Sequence, residues 1–370
     1  MNSRSFVEKL LQSADVKING DRPFDIKVHN DKFYKRVISG GPLAFGESYM
    51  DGWWDCDGLD ECINRILKTD IQKRVSLNFS NLSLYLKALL TNQGARAKAF
   101  EIGEKHYDIG NDLFEIMLDK RMVYTCAYWK NAKNLDEAQE NKLDLVCKKL
   151  NFQKGQRVLD IGCGWGSFAK FATEKYGVSV VGITVSKEQV ELARERCAGL
   201  PVEIRLQDYR EVDEKFDHII SLGMFEHVGI KNYSIYMKMV RRCLKDDGLF
   251  LLHTIGNNRT TRATDAWMNK YIFPNSKLPS FVQLSRAIED KFVIEDWHNF
   301  GADYDKTLCA WFKNFDTHWL ELSQKYGDRF YRMWRYYLLS CAGAFRARKI
   351  YLWQIVLSPD GVVGGYESIR

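Results

Sequence analysis

The sequence has no run approaching the roughly 20 apolar residues that a membrane-spanning helix requires. Its start, Met1-Asn-Ser-Arg-Ser-Phe6, lacks the apolar core of a secretory signal, so the cytosol is the expected compartment. None of the nine cysteines forms a Cys-x-x-Cys pair, which argues against a zinc ribbon or a dithiol redox site. In a reducing compartment they read as free thiols. There is no internal repeat and no low-complexity segment. From Ile71 to Phe100 there is not one Asp or Glu. Lys73, Arg74, Lys87, Arg96 and Lys98 make that stretch basic, and Leu77, Leu82, Leu84, Leu86, Leu89 and Leu90 make it apolar. Such a segment suits an anionic lipid surface, or equally a helix packed on its own domain with a solvated basic face. The net charge of +6 is mild and singles out no partner.

At 370 residues the chain is long enough for two domains. Its central feature is Arg157-Val-Leu-Asp-Ile-Gly-Cys-Gly-Trp-Gly166. Val158, Leu159 and Ile161 read as a buried parallel strand. Ser167 to Tyr176 reads as a helix with Phe168, Ala169, Phe171 and Ala172 on one face. Strand, glycine turn and helix make a ligand crevice at the carboxyl end of the first strand. The spacing is Asp-x-Gly-x-Gly-x-Gly rather than the dinucleotide pattern Gly-x-Gly-x-x-Gly. Asp160 would repel a pyrophosphate there, but it suits the ammonium group of a methionine moiety. The stretch resembles the first motif of methyltransferases that use S-adenosylmethionine (SAM).

Strand and helix alternation continues through Val178–Thr184, Val202–Leu206, Phe216–Leu222 and Gly248–His253, with helices at 136–150, 186–197 and 233–244. Ser186 and Gln189 form a capping-box pair. Strands at 292–295 and 353–357 follow, separated by helices at 304–323 and 330–345. The fold class expected is α/β, a doubly wound, mostly parallel seven-stranded Rossmann-like methyltransferase sheet. A smaller N-terminal α+β domain precedes it, with alternating stretches at 16–20 and 25–29. The domain boundary is set near residue 100, giving a small domain with linker over 1–100 and a catalytic domain over 101–370. Phe45 to Asp55, with two glycines, three acids and four aromatics, fits a packed turn or a docking surface.

The strand ends nominate the site. Gly162, Cys163 and Gly164 form its floor. No acid stands at the tip of the second strand, but Thr184 and Gln189 can hydrogen-bond ribose hydroxyls, or serve only as helix caps. Asp208 can accept from an adenine amino group, flanked by Gln207 and Tyr209. The fourth strand ends in Gly223-Met-Phe-Glu-His-Val228, where amino methyltransferases of nucleic acids carry Asn/Asp-Pro-Pro-Tyr. That motif is absent, and no nucleic-acid partner is expected. Glu226 and His253 open into the same crevice.

Cys126-Ala-Tyr-Trp129, the glycine stretch, Met224-Phe-Glu-His-Val-Gly229, Leu252-His-Thr-Ile-Gly256, Trp297-His-Asn-Phe-Gly-Ala-Asp-Tyr304 and Cys341-Ala-Gly-Ala-Phe-Arg346 together resemble the cyclopropane-fatty-acyl-phospholipid synthases. The resemblance includes Gly46 to Trp54 in the small domain, and Ser167 departs from a glycine common in those enzymes. It implies addition of a methylene from SAM across a cis double bond of phospholipid acyl chains, through a carbocation. Tyr124, Tyr128, Trp129, Phe225, Tyr271 and Tyr304 could face that cation. The resemblance also places Tyr124 and Thr125 among the SAM contacts. It implies bicarbonate as base, in a cage of Cys126, Glu226, His253, Ile255 and Tyr304. It adds Cys341 as an active-site residue, which could equally be a small apolar packing residue. A homodimer at the inner face of the cytoplasmic membrane is implied as well. The alternatives are a SAM-dependent N-methyltransferase of a small amine, and a lipid-binding paralogue without activity.

Overall fold

The computed structural model describes residues 2–69, 110–261 and 264–370. The acid-free segment 71–100 and the boundary set near residue 100 lie outside them. The chain forms two compact units that do not follow chain order. One draws on the N-terminal segment, 261–274 and 304–350. The other draws on the stretch before 261, 275–303 and 351–370.

In the first unit, strand β1 (Lys27–Val28) pairs antiparallel with β2 (Trp54–Asp55). The alternation at 16–20 yields only an isolated bridge between Ile18 and Ile26. The helix Lys32–Met50 breaks at Gly41, whose φ of 56° admits glycine best, just before Pro42. Phe45 to Asp55 is an aromatic knot. The fully buried Trp54 packs on Phe45 at 4.4 Å and Tyr49 at 4.9 Å, and its Nε1 donates to Ser48 Oγ. A Cβ on Gly46 would lie 2.5 Å from Trp267, so only glycine fits. Arg332, on the helix Trp319–Arg346, donates to the Trp54 carbonyl and to Asp55 Oδ1. That helix is broken at Gly327, φ 72°.

The second unit is built on a seven-stranded sheet. Its strands are β3 (Arg157–Ile161), β4 (Ser179–Thr184), β5 (Val202–Leu206), β6 (Phe216–Leu222), β7 (Leu244–Gly256), β8 (Val293–Asn299) and β9 (Tyr351–Ser358). The order is β5-β4-β3-β6-β7-β9-β8, with β9 antiparallel to both neighbours and the others parallel. Side chains alternate between two apolar layers. Val158, Val180, Ile220, Leu251 and Val356 pack under the helices Leu135–Lys149 and Ser167–Tyr176. Leu159, Val181, Ile219, Phe250 and Ile355 pack on the helices Tyr233–Cys243 and Phe281–Ile288. Each buried side chain of this size contributes about 1.5–3 kcal/mol.

By the same period of two, Asp160, His253, Gln354, Asp296 and His298 share the parity of the first layer. His253 and His298 flank Gln354 in register across β7, β9 and β8. The sheet direction switches at β3, from which β4 departs one way and β6 the other, and this puts a crevice at the carboxyl end of the first strand.

Candidate active site

A cavity of about 180 Å³ opens at that switch point. Tyr124, Thr125, Asp160, Gly162, Cys163, Gly164, Thr184, Gln189, Gln207, Asp208 and Tyr209 all line it. The glycine turn is shaped by contact. Gly162 has φ 85°, and a Cβ there would lie 2.7 Å from Met224, while the amides of Gly162 and Cys163 donate to the Ile183 carbonyl. Gly164 has φ 53° and nothing within 4 Å of its Cβ position, so the cavity keeps that space open.

Thr184 Oγ1 donates to Gln189 Oε1 at 2.8 Å. The expected capping box is therefore only half made. Ser186 accepts from the Gln189 amide, but the Gln189 side chain turns to Thr184. Its NH2 donates to no described residue and remains available to the cavity. Both oxygens of Asp208 accept from Arg210, one from its amide and one from Nη1, each at 2.9 Å. Burial pushes Asp160 up to about 7, against the pull of the nearby Lys142. Lys142 is itself fully buried, lines the cavity and donates to Thr125 Oγ1 at 2.8 Å.

Glu226, in the short turn Phe225–His227, is 5% exposed. Its Oε1 accepts from the Ile255 amide at 2.7 Å, and its Oε2 meets no donor among the described residues. Burial pushes its carboxyl up to about 7. The Ile255 N–H is thus spent on orienting Glu226. His253 is buried, and burial drives its pKa well below the usual range. Gln354 Nε2 donates to His253 Nδ1 at 3.3 Å, which leaves the proton on Nε2. That Nε2 has no partner among the described residues. Phe300 meets the His253 ring edge-on at 5.9 Å and the Tyr128 ring at 5.3 Å. Cys126 is fully buried in a loop held by Gln139, whose Nε2 donates to the carbonyls of Val123 and Thr125. Phe225 stacks on Tyr233 at 4.3 Å.

Tyr304, Cys341 and Tyr271 belong to the other compact unit. There Tyr304 packs on Phe345 at 4.6 Å, Tyr271 donates to Glu47 Oε1, and Cys341 is half-buried on the helix Trp319–Arg346. The Ser167 hydroxyl donates to the carbonyls of Arg121 and Met122, which pins the loop leading to Tyr124 and gives this serine a use that glycine lacks.

Sequence reasoning missed Lys142, Arg210 and Gln354. Lys142 and Lys149 carried a signal, because both fall on the helical stripe of Ala138, Leu143, Val146 and Cys147, the buried face of the helix Leu135–Lys149. No signal pointed to Gln354, since only the β7–β9 register brings it to His253.

A family model described as mycolic acid cyclopropane synthetase matches residues 95–355. The chain is 52% identical over 362 residues to the cyclopropane-fatty-acyl-phospholipid synthase of Escherichia coli K12, covering 98% of this chain and 94% of that one. It is 35% identical to cyclopropane mycolic acid synthase 2 of Mycobacterium leprae over 67% of this chain and 90% of that one. Among solved structures, a cyclopropane synthase of Mycobacterium tuberculosis superposes with a TM-score of 0.66 at 30% identity, covering 70% of this chain and 97% of that one. A mycolic acid cyclopropane synthase solved with SAH and CTAB gives the same TM-score at 31% identity and the same coverage. A coclaurine N-methyltransferase superposes with a TM-score of 0.71 over 85% of this chain and 98% of that one, but at 21% identity it shares the fold alone. Site geometry, family match and near full-length identity agree that the chain belongs to the cyclopropane synthase family, enzymes of the SAM-dependent methyltransferase fold.

Proposed function

We propose that the protein adds a methylene, drawn from SAM, across a cis double bond in the acyl chains of membrane phospholipids. The 52% identity to the Escherichia coli synthase, which runs almost end to end, carries this reading. The cavity fits the co-substrate. The space over Gly164 would take the cofactor backbone, Asp160 its ammonium group, the Gln189 amide its ribose hydroxyls, and Asp208 with Gln207 its adenine. When bound, SAM supplies an electrophilic methyl group. The protein must hold a neutral, weakly nucleophilic alkene in line with it and keep water out. Tyr124, on the cavity wall, offers an aromatic ring to the positive charge that then develops on the acyl chain, whereas Phe225 is stacked into the core on Tyr233.

Ring closure needs a base, and the residues present fit a small anion. The His253 Nε2–H, without a partner among the described residues, is a donor, and Glu226 with a pKa near 7 can share a proton rather than repel. A bound bicarbonate would supply the base there, with Glu226, His253 and backbone groups near Cys126 holding it. The direct alternative makes Glu226 the base. We further propose a homodimer, and attachment of the segment 71–100 to anionic lipid.

The test incubates the protein with labelled SAM and vesicles of unsaturated phospholipid, followed by analysis of the lipid. Label in cyclopropane acyl chains is expected. Label confined to an amine headgroup, or none, would overturn the reading. Full activity after stripping carbon dioxide from the buffer would return the role of base to Glu226. Unchanged vesicle sedimentation on reversing Lys73, Arg74 and Lys87 to Glu would refute the lipid-binding role of that segment, and a monomer in analytical ultracentrifugation would refute the dimer.

A further inference from the structure

We propose that Lys142 recognises the carboxylate of the methionine moiety of SAM, so that Lys142 and Asp160 form a two-ended clamp for an α-amino acid. The proposal rests on the SAM reading of the cavity. Lys142 is fully buried on the helix Leu135–Lys149 and lines the cavity. An ammonium group carries three N–H donors, and the only acceptor it reaches among the described residues is Thr125 Oγ1, at 2.8 Å. No carboxylate of the described residues lies within ion-pair distance of it. A buried charge without a counter-charge costs several kcal/mol, which proteins offset by pairing, neutralisation or a bound ligand.

Among the described residues, Asp119, Cys126 and Asp160 are the groups whose charge acts on Lys142. Asp119 is buried, and its two oxygens are occupied by the amides of Val123 and Arg121. Cys126 is fully buried, and Asp160 lines the same cavity. His253 is kept neutral by burial, with the Lys142 charge adding to that effect. Asp208 and Arg210 also line the cavity but are paired with each other, which leaves Asp160 and Lys142 as its acid and base without an ion-pair partner among the described residues. SAM has a cationic ammonium and an anionic carboxylate on one carbon and carries no phosphate. Asp160 suits the first, and Lys142 suits the second. The bond from Lys142 to Thr125 Oγ1 also orients that hydroxyl with its own proton free to donate toward the same carboxylate. Burial lowers Lys142 to about 8, so the clamp should weaken above that pH unless the carboxylate holds the proton on.

The experiment is a cycle of two proteins and two ligands, read by calorimetry. Wild type and Lys142→Met are each titrated with SAM and with decarboxylated SAM, which keeps the sulfonium, adenosine and amine. Lys142→Met should lose roughly tenfold to a hundredfold in SAM affinity, the span of a hydrogen bond to a charged group. Its affinity for the decarboxylated ligand should equal that of wild type, which also shows that the variant is folded. Equal losses for both ligands, or none for either, would overturn the assignment. A variant that binds both normally but loses only bicarbonate-dependent turnover would assign Lys142 to that anion instead, against the proposal. Failure of wild type to bind SAM at all would overturn the reading of the cavity itself, a distinct result.

Discussion

Lys142 and Lys149 lie two turns apart on one helix, both fully buried, both lowered to about 8 chiefly by burial. Their surroundings differ. Lys149 donates to Asp296 Oδ2 at 3.1 Å and to His298 Nδ1 at 3.2 Å. Asp296 also accepts from Arg370 on both oxygens and from Ser368 Oγ. Burial pushes Asp296 up, but the Arg370 hydrogen bonds and the Lys149 charge outweigh it and hold the carboxyl down at about 2. Among the described residues Lys142 has only a hydroxyl. One lysine is closed into a network that the fold completes by itself. The other keeps unspent donors in a cavity. A buried charge thus marks structure when its partners are present and marks binding when they are missing.

The largest expected effect is at the closed end. Asp296→Asn strands Lys149 without its nearest counter-charge and should cost about 3–5 kcal/mol in denaturant unfolding. Lys142→Met, measured without ligand, should change stability by about 1 kcal/mol or less, or raise it, because it removes an uncompensated charge. Equal losses in the two variants would erase the contrast.

Gly164→Asp comes next. The new carboxylate would project into the space now open above the turn, at a φ of 53° that already disfavours a side chain. SAM binding should vanish in calorimetry while Asp296→Asn, studied where it is folded, retains it. Retention of affinity by Gly164→Asp would move the cofactor elsewhere.

A smaller effect follows from pH. A lysine whose folded pKa is about 8 and unfolded pKa is 10.5 costs stability below 8, and this cost fades as pH rises through that window. The stability difference between wild type and Lys142→Met should therefore shrink in wild type's favour from pH 8 toward 10. SAM affinity of wild type should fall over the same range. A difference that stays flat would mean that Lys142 does not titrate there.

The smallest effect concerns a neutral buried pair. Gln354→Glu would accept from His253 Nδ1–H and move the proton off Nε2. Nitrogen NMR should report the Nε2–H form in wild type and its loss in the variant, with turnover reduced several-fold and SAM affinity unchanged. The Nδ1–H form in wild type would refute the orientation given to Gln354.

The sheet was legible because its strands are short apolar runs separated by helices, and Val202–Leu206 and Phe216–Leu222 fall where the sequence puts them. The crevice was legible because the glycine turn and strand ends are local signals. The stretches 16–20 and 25–29 misled because alternation that long usually forms a ladder, whereas here only two residues pair with β2. The Gln189 side chain was misassigned because Thr184 competes for it. Lys142 and Lys149 escaped notice because amphipathic reading assigns lysine to solvent, and the partners that explain Lys149 are distant in sequence. Tyr304 and Cys341 came from resemblance alone.

The position of β9 has a consequence for how the chain is assembled. It is the middle strand of the antiparallel trio, seated between β7 and β8, yet it follows both in sequence. Before it arrives the chain leaves for the other compact unit over residues 304–350. Until then the edge of β7 and one side of β8 offer unpaired amides and carbonyls, a template for another chain. Seating β9 is a long-range closure and should be a slow step in refolding. A chain that ends before residue 351 should aggregate rather than rest as a smaller folded enzyme.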